Sequence, residues 1–186
     1  QVAAGRTKSL VLGGYIILDK IGAGGMGQVF KALHRRMDRT VAIKMLPPTM
    51  TKDVAATARF EREVRAAAKL EHPNIVTAHD ADQANGTHFL VMQYVEGDDL
   101  SALVKKNGPF PVSKAVNYIL QTARGLEFAH GEGVVHRDIK PANLMLLKGE
   151  LLKITDFGLA KSPDANLAQD GVLIGTPNYM SPEQIS

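Results

Sequence analysis

Cysteine and tryptophan are absent from this 186-residue chain, and aromatic side chains make up only 5% of it. Without cysteine there are no disulfides and no thiolate metal centres, so the fold has to rest on packing and hydrogen bonding. The absence is compatible with a reducing compartment. Long apolar runs are missing too. Val2 to Leu12 is too short and carries Arg6 and Lys8, whereas a bilayer span needs roughly 20 apolar residues. An excess of one charge is also lacking: 22 basic residues face 19 acidic ones, for a net charge of +3. A nucleic-acid binder would show a dense Lys/Arg stripe. The densest basic stretch, His34-Arg35-Arg36, reads instead as a short exposed turn. Nucleic acid is therefore not an expected partner. Internal repeats and low-complexity tracts are absent.

What remains is the composition of an ordinary globular protein, 45% hydrophobic and 22% charged, long enough for one or two small domains and a real core. Because the first residue is Gln1 rather than Met, the chain is expected to be a piece of a longer protein, whose targeting signals can lie beyond either end. Residues 1–14 read as a flexible lead-in. Strand-like runs follow: Tyr15 to Leu18, then, after a glycine cluster, Gln28 to Leu33, then Thr40 to Leu46, stopped by Pro47-Pro48. Asp53 to Leu70 predicts a helix, because Phe60, Val64, Ala67 and Ala68 fall on one face. Pro73 closes it off. Ile75 to Ala78 and His88 to Met92 predict two more strands. The order β-β-β-α-β-β implies an antiparallel sheet carrying one helix. Gln93 to Gly97 reads as a connector. Beyond it, Asp99 to Lys106 predicts a short helix. Ser113 to His130 predicts a long one, with Val116, Ile119, Leu120, Ala123 and Leu126 on an apolar stripe. Short strand-like pieces flank residues 136–143 and 156–158. The class is α+β in two lobes, β-rich to about Met92 and mainly helical after it. Ligands often bind at such a junction.

Four motifs fall in order along this plan. Gly22-Ala23-Gly24-Gly25-Met26-Gly27-Gln28-Val29 fits G-x-G-x-x-G-x-V. Glycines let a backbone approach phosphates closely. A dinucleotide site would need a helix after the glycines; a second strand follows here, so that reading fails on context, while a hairpin with no ligand stays open. Val41-Ala42-Ile43-Lys44 puts a fixed cation on the next strand, where phosphate charge would need one. Taken alone, such a lysine is normally a solvated edge residue. His136-Arg137-Asp138-Ile139-Lys140-Pro141-Ala142-Asn143 sets a carboxylate and an amide five residues apart in a constrained loop. Asp138 can accept a hydroxyl proton while Asn143 holds a metal. Asp156-Phe157-Gly158 offers a second metal carboxylate just after the strand-like Leu151 to Ile154. Any one of these strings arises by chance; all four in this order, each on its expected element, do not.

Together the motifs resemble those of the eukaryotic-type protein kinase superfamily, over nearly the whole chain from Tyr15. Gly25-Met26-Gly27, His72-Pro73-Asn74-Ile75-Val76 and the run from Gly175-Thr176-Pro177 to Ser181-Pro182-Glu183-Gln184 are similar to bacterial Hanks-type serine/threonine kinases. The resemblance implies a protein kinase-like bilobal fold. Its β-rich N-lobe would occupy 15–92 with one main helix, its hinge 93–97, and an incomplete, mainly helical C-lobe 98–186. It also implies an ATP-dependent serine/threonine kinase of bacterial signalling, transferring the γ-phosphoryl to Ser/Thr hydroxyls of protein substrates.

In that family the glycine loop covers the phosphates, which here implies Gly22, Gly24 and Gly27, together with Ile21, Ala23, Gly25 and Met26 of the same loop. Lys44 would meet the α- and β-phosphates and pair with a helix glutamate. Of Glu61 and Glu63, the family's ten-residue spacing to the proline selects Glu63, and residues two apart on a helix do not share a face. Val29, Ala42 and Met145 would sandwich the adenine, although core packing explains each of them equally well. Met92 stands at the gatekeeper position. Backbone groups of Gln93 and Val95 would bond the adenine edge, and Asp99 the ribose. Asp138 would be the catalytic base, and Lys140 would neutralise charge on the moving phosphoryl. Asn143 and Asp156 would hold Mg2+, with Mn2+ as an alternative. Lys140 and Thr176 resemble serine/threonine rather than tyrosine kinases. His136 would pack against Phe157 instead of moving protons.

Departures from the family pattern lie near the end. Ser181-Pro182-Glu183 stands for Ala-Pro-Glu. Between Pro163 and Gly175 there is no Ser, Thr or Tyr to phosphorylate. Asp170 lies near where bacterial relatives carry phosphothreonines, and it reads equally as a permanent partial substitute for that charge or as a solvated loop residue. The chain stops at Ser186, ahead of helices that in the family support the activation segment. Glu183 would then lack its usual Arg, apolar surface would be left uncovered, and residues 1–186 alone are expected to be inactive or poorly soluble. A nucleotide-binding pseudokinase scaffold is the alternative, disfavoured because Lys44, Asp138, Asn143 and Asp156 are all present. A small-molecule kinase is disfavoured by the segment 175–183. Expected partners are ATP and proteins bearing Ser or Thr, in the cytoplasm. A membrane anchor outside this chain and pairing of two kinase domains are both compatible with the sequence.

Overall fold

The structure, a computed structural model, describes residues 10–24, 27–46, 54–157 and 177–185. Six strands, β1 (Val11–Leu12), β2 (Tyr15–Gly24), β3 (Gly27–His34), β4 (Arg39–Met45), β5 (Ala78–Ala84) and β6 (Thr87–Gln93), form one antiparallel sheet in the order β1-β2-β3-β4-β6-β5. Helix α1 (Val54–Ala67) is inserted between β4 and β5. The second half carries a three-stranded sheet of β7 (Gly97–Asp99), β8 (Leu144–Leu147) and β9 (Leu152–Ile154), with α2 (Leu100–Asn107), α3 (Val112–Gly131) and α4 (Pro182–Ile185). This is the α+β bilobal fold that the motifs implied. None of the described helices is long and apolar enough to cross a membrane.

Strand periodicity explains how the sheet divides its faces. Val41 and Ile43 of β4 enter a buried cluster with Leu12, Tyr15, Ala32, Phe89 and Val91. Because successive side chains alternate, Ala42 and Lys44 occupy the opposite face. On that face Leu46 and Leu90 bury against Phe60, which seats α1 on the sheet. A charged residue thus lies on a central strand, under a helix. The β5–β6 hairpin turns at Asn85-Gly86, both with positive φ (52° and 75°), which matches the twist of the flanking strands and suits this residue pair.

Four expectations are corrected. The lead-in over 1–14 ends early: Val11–Leu12 pairs with Tyr15 and Ile16, and Leu12 is buried. The Gly13-Gly14 turn lets this short strand cover the end of the sheet. The helix over Asp53 to Leu70 ends at Ala67. Lys69 and Leu70 donate to Ala66 O and Ala67 O at 3.2 and 3.1 Å, a tightened last turn that drops Leu70 into the core of the second half. The strand over Ile75 to Ala78 shrinks to a parallel bridge between Ile75 and Ile154, and the β5 ladder starts at Ala78, because the backbone groups of 74–76 are taken by β9.

The fourth concerns α3. Its buried face is Tyr118, Thr122, Gly125 and Ala129, whereas Val116, Ile119 and Leu120 are exposed. The helix is apolar on two sides, and periodicity alone does not say which one is covered. The small residues mark the packed side: a Cβ on Gly125 would lie 2.9 Å from Ile154 Cδ1 and 3.2 Å from Asn74 O. Around this contact Leu70, Ile75, Leu100, Tyr118, Leu152 and Ile154 form the largest buried cluster.

Candidate active site

Lys44 is brought to the cleft by β4, where it pairs with Val29 of β3 and Leu90 of β6. Its ammonium reaches Asp156 Oδ1 at 2.8 Å, with side-chain exposures of 9% and 39%. Asp156 leaves β9 with φ of 58°, a left-handed conformation that costs a non-glycine residue energy and is typical of positions held for function.

The loop 136–143 supplies the other half. Lys140 Nζ lies 2.9 Å from Asp138 Oδ2. Asn143 Nδ2 donates to Asp138 O at 2.8 Å and to Oδ2 at 3.1 Å. The single 3-10 turn Pro141–Asn143 sets this spacing. Arg137 also has positive φ, 65°. His136 accepts from Asp138 N through Nδ1 at 3.2 Å, so its proton sits on Nε2, which donates to Thr155 O at 2.7 Å. The ring lies edge-on to Phe157 at 4.7 Å. Burial pushes the His136 pKa below its ordinary value, against a raising contribution from the Thr155 bond. The imidazole therefore serves as a neutral spacer between the loop and the Asp156 segment.

The remaining sequence-predicted residues fall as follows. The ladder sets Gly22 against Val29, Ala42 against Met92, and Met145 against Asp99. Ala42 is buried, Val29 and Met145 are half-buried, and Ile21 is exposed. Asp99 caps α2, accepting from Ala102 N at 2.9 Å. Gln93 N donates to Thr77 O at 2.9 Å, and Tyr94 is held by the Lys31 ammonium 4.8 Å above its ring, so residues 93–95 are tied to the sheet. Ala23 is exposed and Val95 half-buried. Glu183 is exposed, and a hydrogen bond from Ser181 lowers its carboxyl pKa. Gly25, Met26, Asp170, Thr176 and the side chain of Glu63 lie outside the described residues, and so does Gly24 beyond its place in β2.

The donor set suits a hard divalent cation. Asn143 has its amide nitrogen committed to Asp138, which leaves the amide oxygen as its metal-facing acceptor, and Asp156 adds a carboxylate. Among the described residues no group of three or more His, Cys, Asp or Glu forms a self-sufficient cage. Mg2+ is usually held this way, by one or two protein oxygens completed by substrate phosphates.

Fold and cluster together define a phosphoryl-transfer architecture, and comparison with known proteins assigns it. Residues 15–186 match the protein kinase domain family. PknA of Mycobacterium tuberculosis, a serine/threonine-protein kinase, is 41% identical over 178 residues, covering 92% of this chain and 41% of that protein. PknH of the same species, also a serine/threonine-protein kinase, is 39% identical over 177 residues, covering 95% of this chain and 28% of that protein. The crystal structure of the PknI kinase domain of M. tuberculosis superposes with a TM-score of 0.73 at 32% identity, covering 87% of this chain and 66% of that one. The chain belongs to the protein kinase family and is similar to bacterial serine/threonine kinases, although it spans well under half the length of the curated relatives it matches.

Sequence reasoning missed three groups near the site. Thr155 bonds Asn143 O through its N–H (2.9 Å) and Oγ1 (3.3 Å), hooking the two metal-ligand candidates together. Asn74, Gln121 and Lys153 bond one another's backbones across the two halves. The available signal was Lys153, a charge inside the apolar run Leu151 to Ile154.

Proposed function

We propose that the protein containing this chain is an ATP-dependent serine/threonine protein kinase. The observation that carries the reading is the convergence in one cleft of two ammonium–carboxylate pairs, Lys44 with Asp156 and Lys140 with Asp138, and of Asn143 bonded to Asp138. In the reaction the bond from the γ-phosphorus to the β,γ-bridging oxygen breaks, and a bond to the acceptor hydroxyl oxygen forms. Asp138 orients that hydroxyl and accepts its proton, while Lys140 offsets charge on the γ-phosphoryl oxygens. Lys44 exchanges Asp156 for the α- and β-phosphates, and Glu63 then fixes Lys44 from α1. Asn143 and Asp156 would hold a Mg2+ ion, with Mn2+ as the substitute, and the bound ion supplies charge neutralisation on the phosphates. Positioning and electrostatics of this kind account for most of phosphoryl-transfer catalysis.

Ala42 and Val29 from above and Met145 from below form the adenine slot, with Met92, Gln93 and Val95 along its edge. Acceptors are Ser or Thr hydroxyls of cytoplasmic proteins. Asp170, Thr176 and Glu183 act in the activation segment. The test is label transfer from γ-radiolabelled ATP to a generic protein acceptor, in the natural polypeptide. Asp138→Asn should lower the rate by about 10^3-fold while nucleotide binding persists. A native protein that binds ATP but transfers no label would instead be a pseudokinase scaffold.

A further inference from the structure

Residues 71–77 connect α1 to β5, yet their hydrogen bonds go mostly to the other half of the molecule. Ile154 N donates to Asn74 O at 2.8 Å, and Val76 N to Ile154 O at 2.9 Å. Asn74 Nδ2 donates to Leu152 O at 2.9 Å and to Gln121 Oε1 at 3.0 Å. That same Gln121 oxygen accepts from Leu152 N at 2.8 Å, and Gln121 Nε2 donates to Glu150 O at 2.9 Å. Lys153 Nζ donates to Ile75 O at 3.0 Å. Asn74 and Lys153 are each more than nine-tenths buried, and burying an ammonium on a dry strand is costly unless its hydrogen bond is needed. Gly125 leaves the room for this approach of α3 to Asn74.

We propose that Asn74, Gln121 and Lys153 are positioning residues that lock the α1–β5 connector to β9, and through β9 fix the place from which Asp156 works. Two halves joined only at residues 94–96 would rotate freely about that point. A second attachment at 74–76 leaves one axis, running through both. Asp156 follows Ile154 by two residues, so the attachment lies close enough to set its position against Lys44 on the other half. An apolar cavity lined by Ala67, Leu70, Leu90, Met92 and Phe157 adjoins this connector, so hydrogen bonds rather than tight packing hold Asp156 on that side. The role given to Asp156 rests on the kinase reading; the lock does not.

The test combines amide hydrogen exchange with nucleotide binding in the natural polypeptide. Lys153→Met keeps the buried stem and removes the donor; Asn74→Ala removes the side-chain bonds. Both should speed exchange at Thr155, Asp156 and Phe157 by at least roughly tenfold, with Ile43 and Val91 of the sheet unchanged. Both should also weaken Mg2+–ATP binding by about three- to tenfold. Equal acceleration in the sheet, or none at 155–157, would overturn the lock. Local acceleration with native nucleotide affinity would overturn the positioning role. Local acceleration in a protein whose native form binds no nucleotide would support the lock and overturn the kinase reading.

Discussion

In the six-stranded half, the buried cluster of Leu12, Tyr15, Val41, Ile43 and Phe89 is covered on every side by its own strands, with Tyr15 edge-on to Phe89 at 5.9 Å. Helix α3 in the other half is finished on one side only. Its inner face packs through Gly125 on Ile154 and Asn74, while Val116 and Ile119 on the outer side are 61% and 64% exposed. The site draws Lys44 from the closed sheet and Asp156 from β9, which lies under the packed side of α3. Geometry at the site therefore depends on the covered surfaces. The open outer face of α3 bears on solubility and association, because contiguous apolar surface seeks a partner.

Substitutions that separate these two regions sharpen the contrast. Phe89→Ala should cost about 3–5 kcal/mol of unfolding free energy, by cavity formation, measured by urea denaturation. Gly125→Ala should cost about 1–3 kcal/mol through overpacking, and its Cβ would press on Ile154 and Asn74 at 2.9 and 3.2 Å. Ile119→Ser, on the open face, should change stability by no more than about 0.5 kcal/mol and should raise solubility. A loss at Ile119 as large as at Phe89 would break the contrast, because it would mean that the outer face is covered.

The smallest effect is one of pH. Burial lowers the His136 pKa from the ordinary 6.5, so the unfolded chain binds this proton more readily than the folded one. The contribution of neutral His136 is then complete above about pH 6.5 and is lost as pH falls through the lower folded pKa. Burial lowers the pKa of half-buried His72 as well, which adds the same sign. Thermal unfolding temperature should drop between pH 7 and pH 5.5, and the drop should shrink in His136→Phe. An equal drop in that variant would assign the effect to other groups.

Much of this was legible in the sequence, for identifiable reasons. Lys44, Asp138, Asn143 and Asp156 stand in short motifs whose local turns and strands are set by neighbouring residues, and their elements formed where the pattern put them. Ile75 was misread as strand because its apolar, β-branched surroundings fit a strand, and only the tertiary bridge to Ile154 shows where it belongs. The α3 stripe was misread because the helix offers two apolar faces, and the choice between them is made by Gly125, whose lack of a side chain scores as nothing in a periodicity count. The network of Asn74, Gln121 and Lys153 joins residues up to 79 positions apart, and no local pattern marks such a partnership.

The most direct measurement is ATP affinity of the natural polypeptide with and without Mg2+, for the native protein and for Asp156→Asn. A cleft that works through Asp156 and Lys44 should bind ATP at least roughly tenfold more tightly with Mg2+ present, and the variant should lose most of that dependence. Equal Mg2+ dependence in both proteins, or none in either, would contradict the account.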